Sequence, residues 1–145
     1  MITACDLRYA TEDACFQIKE IDLGLVADVG TLQRLPTLIP QGIVRELAFT
    51  GRSFNGKEAL SMGLLNNCYE NKESLMQGVL EVARSIAANS PLAIRGIKET
   101  LLYSRDHTVQ ESLNQVATWN SAMLLSEDLE EAMMAHFQNL SLIHI

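Results

Sequence analysis

The sequence predicts an α/β chain in which a few short strands are followed by a mostly helical C-terminal region. Residues 1 to about 70 mix short apolar runs with glycine and turn residues, whereas residues 72 to about 138 show an almost continuous helical pattern. No stretch rich in proline, glycine or serine separates the two parts, and 145 residues suit one domain or part of one. We therefore expect no pair of independent domains.

Short strands are expected in the first part of the chain. Leu7–Ala10 and Cys15–Ile18 carry apolar and aromatic residues on either side of the polar turn Thr11-Glu12-Asp13. A third apolar run, Leu64–Tyr69, follows a glycine and has the same character. These runs are too short for helices and are typical of strands.

Three short helical segments lie between these strands. The first begins at Asp28 and should break near Pro36, because proline lacks the backbone N–H. The second covers residues 41–49, with inward-facing Ile43, Leu47 and Val44. The third is a single turn over Lys57–Met62 that ends at Gly63, a favourable residue after a helix.

The second part predicts four helices with recognisable starts. Ser90-Pro91 combines a capping hydroxyl with a proline preorganised for the first turn. Thr108 and Glu111 have capping-box spacing, and Ser126-Glu127-Asp128 places acids at the positive end of a helix dipole. Apolar residues at helical spacing should face inward: Leu75, Val79, Val82, Ile86, Ile94, Ile97, Leu101, Leu113, Val116, Ala117 and Leu124.

Composition excludes several classes of protein. The formal net charge of -7 disfavours non-specific binding to nucleic acid or to an anionic membrane. No apolar run reaches the roughly 18 residues of a membrane span, and the N-terminus resembles neither a signal peptide nor a transit peptide. The three cysteines have no paired spacing and the three histidines no ligand spacing, so we expect neither disulfides nor a metal: Cys5, Cys15, Cys68, His107, His136 and His144.

One glycine-bounded segment approaches a phosphate-binding loop. Gly51 to Lys57 has the P-loop spacing, but Glu58 replaces the hydroxyl that would bind Mg²⁺, and its carboxylate would repel phosphate. We interpret the segment as an ordinary loop.

Three carboxylates among apolar residues are the candidates for chemistry. Glu20, Asp22 and Asp28 lie in and around the run Leu23–Ala27. Such a carboxylate either faces water or is buried with a raised pKa and can exchange protons near neutral pH. Spacing alone favours the first alternative; two buried carboxylates flanking a substrate would suit a proton shuttle.

Several motifs resemble the enoyl-CoA hydratase/isomerase (crotonase) superfamily over residues 3 to about 125. Its dienoyl-CoA isomerase branch is the most similar, because Asp28 stands where hydratases commonly have glycine. The matching runs are Ala4–Ala10, Phe16–Leu25, Ala27–Pro36, Phe49-Thr50-Gly51, Glu58-Ala59, Gly63-Leu64-Leu65, Leu101–His107 and Val116–Asn120.

The resemblance implies part of a crotonase spiral fold and an enzyme that shifts the double bonds of 3,5-dienoyl-CoA to 2,4-dienoyl-CoA in fatty acid β-oxidation. Glu20 and Asp28 match the catalytic carboxylates, with Glu20 the base near C2 and Asp28 the acid near the distal carbon. An acyl-CoA thioester is the substrate, and no metal or redox cofactor is required. The resemblance further implies a trimer or hexamer in mitochondria or peroxisomes.

The chain departs from the family by matching only its C-terminal half. The other half supplies the backbone N–H groups of the oxyanion hole, so we expect the chain to be inactive alone. Residues 1–70 would be a partial spiral core, 71–138 a helical trimerisation region and 139–145 a tail outside the family pattern without a targeting signal. An enoyl-CoA hydratase fragment and a non-catalytic oligomerisation module are the alternatives.

Overall fold

The structure is a computed structural model of the chain. It describes residues 2–137, except the side chain of His136, so the predicted tail at 139–145 lies outside the described residues. The chain forms two compact units, of which the first ends at Val79 and the second begins at Leu80. The predicted division into a spiral core, a helical region and a tail stays a prediction.

The first unit contains four short strands: β1 (Tyr9–Thr11), β2 (Cys15–Phe16), β3 (Phe54–Asn55) and β4 (Asn67–Tyr69). Strand β1 pairs in parallel with β4, and β2 pairs antiparallel with β3. Strands β1, β2 and β4 are shorter than predicted, and β3 lies in the segment that we interpreted as a loop. The strands flanking the turn at residues 11–13 do not pair with each other. The Glu12 N–H donates to the Tyr69 carbonyl at 2.8 Å, so the first residues of the turn bond to β4 and not to β2.

Helices and tight turns connect these strands: α1 (Thr31–Arg34), α2 (Gln41–Thr50) and α3 (Gly56–Ser61), with 3-10 turns at Ile2–Ala4, Glu20–Leu23 and Leu35–Thr37. The first helix begins at Thr31, three residues later than the predicted start at Asp28. The chain also stays helical through Pro36, because that residue occupies an early position of a new 3-10 turn, where no N–H is needed.

The core of the first unit is built around α2. Val44 and Leu47 are buried as predicted, Leu47 with 0% of its surface exposed, and half-buried Ile43 packs against them. The burial of these apolar side chains is the main favourable contribution to the stability of this unit. The full cluster comprises Ala10, Ile18, Ala27, Leu35, Ile39, Val44, Leu47, Phe54, Ala59, Leu64 and Leu65.

Four longer helices follow: α4 (Lys72–Ala87), which crosses the boundary between the units, α5 (Pro91–Tyr103), α6 (Val109–Met123) and α7 (Glu127–Phe137). The predicted starts are confirmed. The Ser90 hydroxyl accepts the Ala93 N–H at 3.2 Å. The Thr108 hydroxyl accepts the Glu111 N–H at 3.3 Å, and the Glu111 carboxylate accepts the Thr108 N–H at 2.8 Å.

The apolar faces of these helices differ from the expectation. Leu101, Leu113 and Leu124 are 65%, 57% and 60% exposed, and no apolar side chain of the second unit is buried within its described part. The inward-facing assignment is therefore wrong for these three residues, whereas others of the predicted set are half-buried: Leu75, Val79, Val82, Ile94 and Val116. Periodicity marks the side of a helix suited to burial, but the described part of this unit contains no further layer to cover it.

Helices α5 and α6 pack closely at one glycine. A Cβ atom on Gly96 would lie 2.4 Å from Nε1 of Trp119, so the indole ring occupies space that only glycine leaves free. Within residues 2–137, no helix combines the length and hydrophobicity needed to cross a bilayer.

Candidate active site

Glu20 opens the 3-10 turn Glu20–Leu23 on the first unit. Gly24 ends this turn in the left-handed conformation, and the Leu25 N–H donates to the Glu20 carbonyl at 3.0 Å. The side chain of Glu20 is half-buried and has no hydrogen-bond or ion-pair partner within residues 2–137. The turn therefore holds the backbone and leaves the carboxylate available.

Gln17 fastens this turn to the end of α2. Its side-chain amide donates to the Gly51 carbonyl at 2.6 Å and to the carboxylate of Asp22 at 3.1 Å. Asp22, the third candidate carboxylate, thus has a structural partner. No local pattern in the sequence indicates this role of Gln17, because its shorter bond is made to a backbone carbonyl 34 residues away.

Asp28 lies in the loop between the 3-10 turn and α1. Its side chain is exposed, as expected for the first of the two alternatives weighed above, and it has no partner among the described residues. Ala27, immediately before it, is buried in the core. The carboxylate therefore projects from an anchored backbone.

Exposed apolar side chains surround the two carboxylates in sequence. They are Ile21, Leu23, Leu25, Val26 and Val29, with Val26 78% exposed. Several exposed apolar side chains within one short segment favour an interaction with an apolar ligand or with another protein surface. The segment thus combines two available carboxylates with apolar residues.

The glycine-bounded loop is no phosphate site in this structure. Arg52 pairs with Glu46 at 2.8 Å and Glu58 at 2.6 Å, while Lys57 pairs with Glu12 at 2.6 Å. The hydrogen bonds that Arg52 donates to Glu58 and then to Glu46 raise the pKa of Arg52, and the hydrogen bond that Lys57 donates to Glu12 raises the pKa of Lys57. Both cations are therefore neutralised by carboxylates.

A separate groove of about 310 Å³ lies in the second unit among α5, α6 and α7. Its walls are mostly apolar and include Trp119 and Leu129. The Ser90 hydroxyl donates to the carboxylate of Asp128 at 2.5 Å across it, joining the start of α7 to the start of α5. In the described part of the chain, no three metal-binding side chains come together.

Comparison with solved structures defines the class of protein. The chain is similar to an enoyl-CoA hydratase from Bacillus anthracis, with a TM-score of 0.91, 29% identity and coverage of 98% of this chain and 55% of that one. It is also similar to an enoyl-CoA hydratase from Mycobacterium tuberculosis, with a TM-score of 0.90, 31% identity and coverage of 97% and 56%. The fold is that of a crotonase-like α/β protein.

The family follows from the sequence comparisons. The family model described as enoyl-CoA hydratase/isomerase matches residues 1–141, and the chain belongs to this family. It is 50% identical over 140 residues to the human mitochondrial Δ(3,5)-Δ(2,4)-dienoyl-CoA isomerase, covering 96% of this chain and 43% of that protein. It is 52% identical over 135 residues to the peroxisomal isomerase of Arabidopsis thaliana, covering 93% and 49%.

The chain spans less than half the length of these two curated relatives. The match to the C-terminal half of these relatives stays a prediction. The roles of Glu20 and Asp28 likewise stay predictions.

Proposed function

We propose that this chain is part of a Δ3,5-Δ2,4-dienoyl-CoA isomerase of fatty acid β-oxidation and carries its two proton-transferring carboxylates. The observation that carries the proposal is the pair of available carboxylates, Glu20 and Asp28, on one anchored, apolar segment. The identity of about 50% with two proteins of that name supports it. The substrate would be an acyl-CoA thioester, and the location mitochondrial or peroxisomal, as in the names of those relatives.

The chemistry moves two protons and no other atoms. A carboxylate removes a proton from C2, and the electron pair spreads through the conjugated system to the thioester oxygen and the distal carbon. A carboxylic acid then delivers a proton to the distal carbon, which converts the 3,5-diene to the 2,4-diene. We assign the first step to Glu20 and the second to Asp28. Each group must lie within hydrogen-bond reach of its carbon.

We further propose that the chain is inactive alone. The negative charge on the thioester oxygen needs preorganised donors, and the loss of one such donor typically costs about 10²- to 10³-fold in rate. In the family these donors are backbone N–H groups outside the matched segment. The chain would therefore hold proton-transfer groups without the site that stabilises the dienolate.

A replacement experiment tests this proposal. The 145-residue chain and a chimera, in which it replaces the matched segment of the human relative, are assayed with a 3,5-dienoyl-CoA by absorbance of the conjugated product. We expect turnover by the chimera only, lost in Glu20→Gln and Asp28→Asn. Asp13→Asn is the matched control, since Asp13 is exposed and has no partner within the described residues. Turnover by the 145-residue chain alone would contradict its predicted inactivity. An active Glu20→Gln chimera would contradict the proton-transfer role of Glu20.

Hydrogen exchange in D₂O separates the two roles. If Glu20 is the base, the Asp28→Asn chimera still exchanges deuterium into C2 of the substrate without forming product, and Glu20→Gln does not. The opposite pattern, followed by mass spectrometry, would reverse the assignment. Because only protons move, no metal or redox cofactor is proposed, and a chelator such as EDTA should leave turnover unchanged.

A second role is favoured by the exposed apolar faces of the second unit. Leu101 and Leu113 lie on helices with no buried apolar side chain among their described residues. Such faces suit self-association, and a homotrimer or hexamer is the form that we propose. Sedimentation velocity should show an oligomer that Leu113→Glu dissociates. Asn114→Glu, an equal charge change at the next exposed position, should not.

Hydratase activity on a 2-enoyl-CoA is the alternative reaction on the same fold. The similarity to two enoyl-CoA hydratase structures favours testing it. If the chimera lowers the absorbance of the 2-enoyl thioester, hydratase activity is supported. If this absorbance stays constant while the chimera isomerises the diene, hydratase activity is excluded.

A further inference from the structure

Arg34 folds back over the loop that carries Asp28. It is the last residue of α1, and its Nη2 donates to the Val29 carbonyl at 2.6 Å. Its Nε approaches the Thr3 hydroxyl at 3.4 Å, near the hydrogen-bond limit. One guanidinium thus connects the backbone next to the candidate acid with the first turn of the chain.

Gly30 makes this arrangement possible. It has a φ of 81°, and a Cβ atom there would lie 2.7 Å from both Nη atoms of Arg34. A side chain at this position would occupy the space of the guanidinium. The bare glycine lets Arg34 lie flat across the turn.

The backbone around Asp28 is consequently held at both ends. Ala27 is buried in the core on one side, and the Val29 carbonyl is bound by Arg34 on the other. The side chain of Asp28 itself remains exposed and without a partner among the described residues. The anchors act on the backbone and leave the carboxylate available.

We propose that Arg34 is a positioning residue that sets the place of the Asp28 carboxylate through the Val29 carbonyl. The catalytic consequence of this inference rests on the proposed isomerase function. Its structural part, that Arg34 holds the backbone beside Asp28, does not. A displacement of about 1 Å at a reacting group can cost about 10²-fold in rate. Lysine would substitute poorly, because one ammonium group lacks the planar set of donors that reaches two acceptors.

The structural part is tested on the 145-residue chain by hydrogen–deuterium exchange. Arg34→Ala should speed exchange in the peptide covering residues 24–34 by about tenfold or more, since it removes a charge-assisted hydrogen bond. Arg34→Lys should give an intermediate value. Arg45→Ala is the matched control, because Arg45 is exposed on α2 and has no partner within the described residues.

Peptides from α2 show whether the variant remains folded. Unchanged exchange in residues 24–34 of Arg34→Ala, or an equal increase throughout the first unit, would overturn the inference. If Arg34→Ala does not fold, Thr3→Val and Arg34→Lys still decide it. Faster exchange confined to residues 24–34 in these two variants supports the positioning role of Arg34. Unchanged exchange in both variants overturns it.

The catalytic consequence is read in the chimera. Arg34→Ala should lower kcat about 10²-fold with KM changed less than about threefold, and Arg34→Lys should recover part of the loss. A parallel rise in KM with unchanged kcat would overturn the positioning role. An inactive unsubstituted chimera would count against the proposed function alone, because the exchange experiment still decides whether Arg34 holds the loop.

Discussion

Replacing Gly30 by alanine should destabilise the first unit for two reasons, one in the backbone of Gly30 and one in its contact with Arg34. A residue with a Cβ pays about 1–2 kcal/mol in the left-handed region that Gly30 occupies. The new Cβ also meets the guanidinium of Arg34, and losing its bond to the exposed Val29 carbonyl costs about 0.5–1.5 kcal/mol. The sum is about 1.5–3.5 kcal/mol.

Urea unfolding followed by far-UV circular dichroism measures this change. Gly42→Ala is the matched control, because Gly42 lies in α2 and a Cβ there meets nothing within 4 Å. Alanine is the better helix former, so this control should gain about 0.5–1 kcal/mol. The two glycine-to-alanine changes should therefore shift the free energy of unfolding in opposite directions.

A double substitution separates the two causes. In an Arg34→Ala background the collision is absent, so Gly30→Ala should cost only the backbone part, about 1–2 kcal/mol. An equal cost in both backgrounds would show that Arg34 does not lie over Gly30. A neutral or stabilising Gly30→Ala would refute the left-handed conformation itself.

Three further changes test other parts of the chain. Leu47→Ala should destabilise the first unit by about 2–5 kcal/mol in urea unfolding, because its side chain is fully buried; a cost below about 1 kcal/mol would contradict that burial. Gly96→Ala should shift the emission of Trp119, the single tryptophan, because the new Cβ displaces the indole; an unchanged spectrum would contradict the close packing of α5 and α6. A hydrogen bond to the Tyr103 carbonyl raises the pKa of His107. Protonated His107 therefore stabilises the fold fully below its unfolded pKa of about 6.5, and this stabilisation is lost as pH rises through the pKa of His107 in the folded chain. His107→Ala should accordingly lower Tm at acidic pH and match the parent at alkaline pH, and a Tm difference that grows with pH would contradict the bond.

The sequence predicts the starts of α5 and α6 correctly because capping is a local interaction. Ser90 and Thr108 make their bonds within three residues, so the pattern contains both partners. The pairing of β1 with β4 is different. It joins Tyr9 to Asn67, and no local pattern contains that information.

The candidate site shows the same division. The sequence indicates Glu20 and Asp28 through a resemblance and through their apolar neighbours, and their roles stay predictions. The bonds of Gln17 and Arg34 have no such signal in the sequence. Gln17 acts through the Gly51 carbonyl, a backbone group 34 residues away that has no side-chain signature. The predicted burial of Leu101 on α5 and of Leu113 on α6 is wrong for another reason. Periodicity does not show whether the surface that covers a helix face belongs to the same chain.

The pairing of β1 with β4 has a consequence for synthesis on the ribosome. Tyr9 pairs with Asn67, which is 58 residues later (67 − 9), and the Arg8 side chain donates to the Leu64 carbonyl at 2.6 Å beside it. At about 5–20 residues per second, β1 waits roughly 3–12 s for its partner to be made. Through that interval the edge of β1 that will pair with β4 is open to other chains, and the completion of β4 covers that edge.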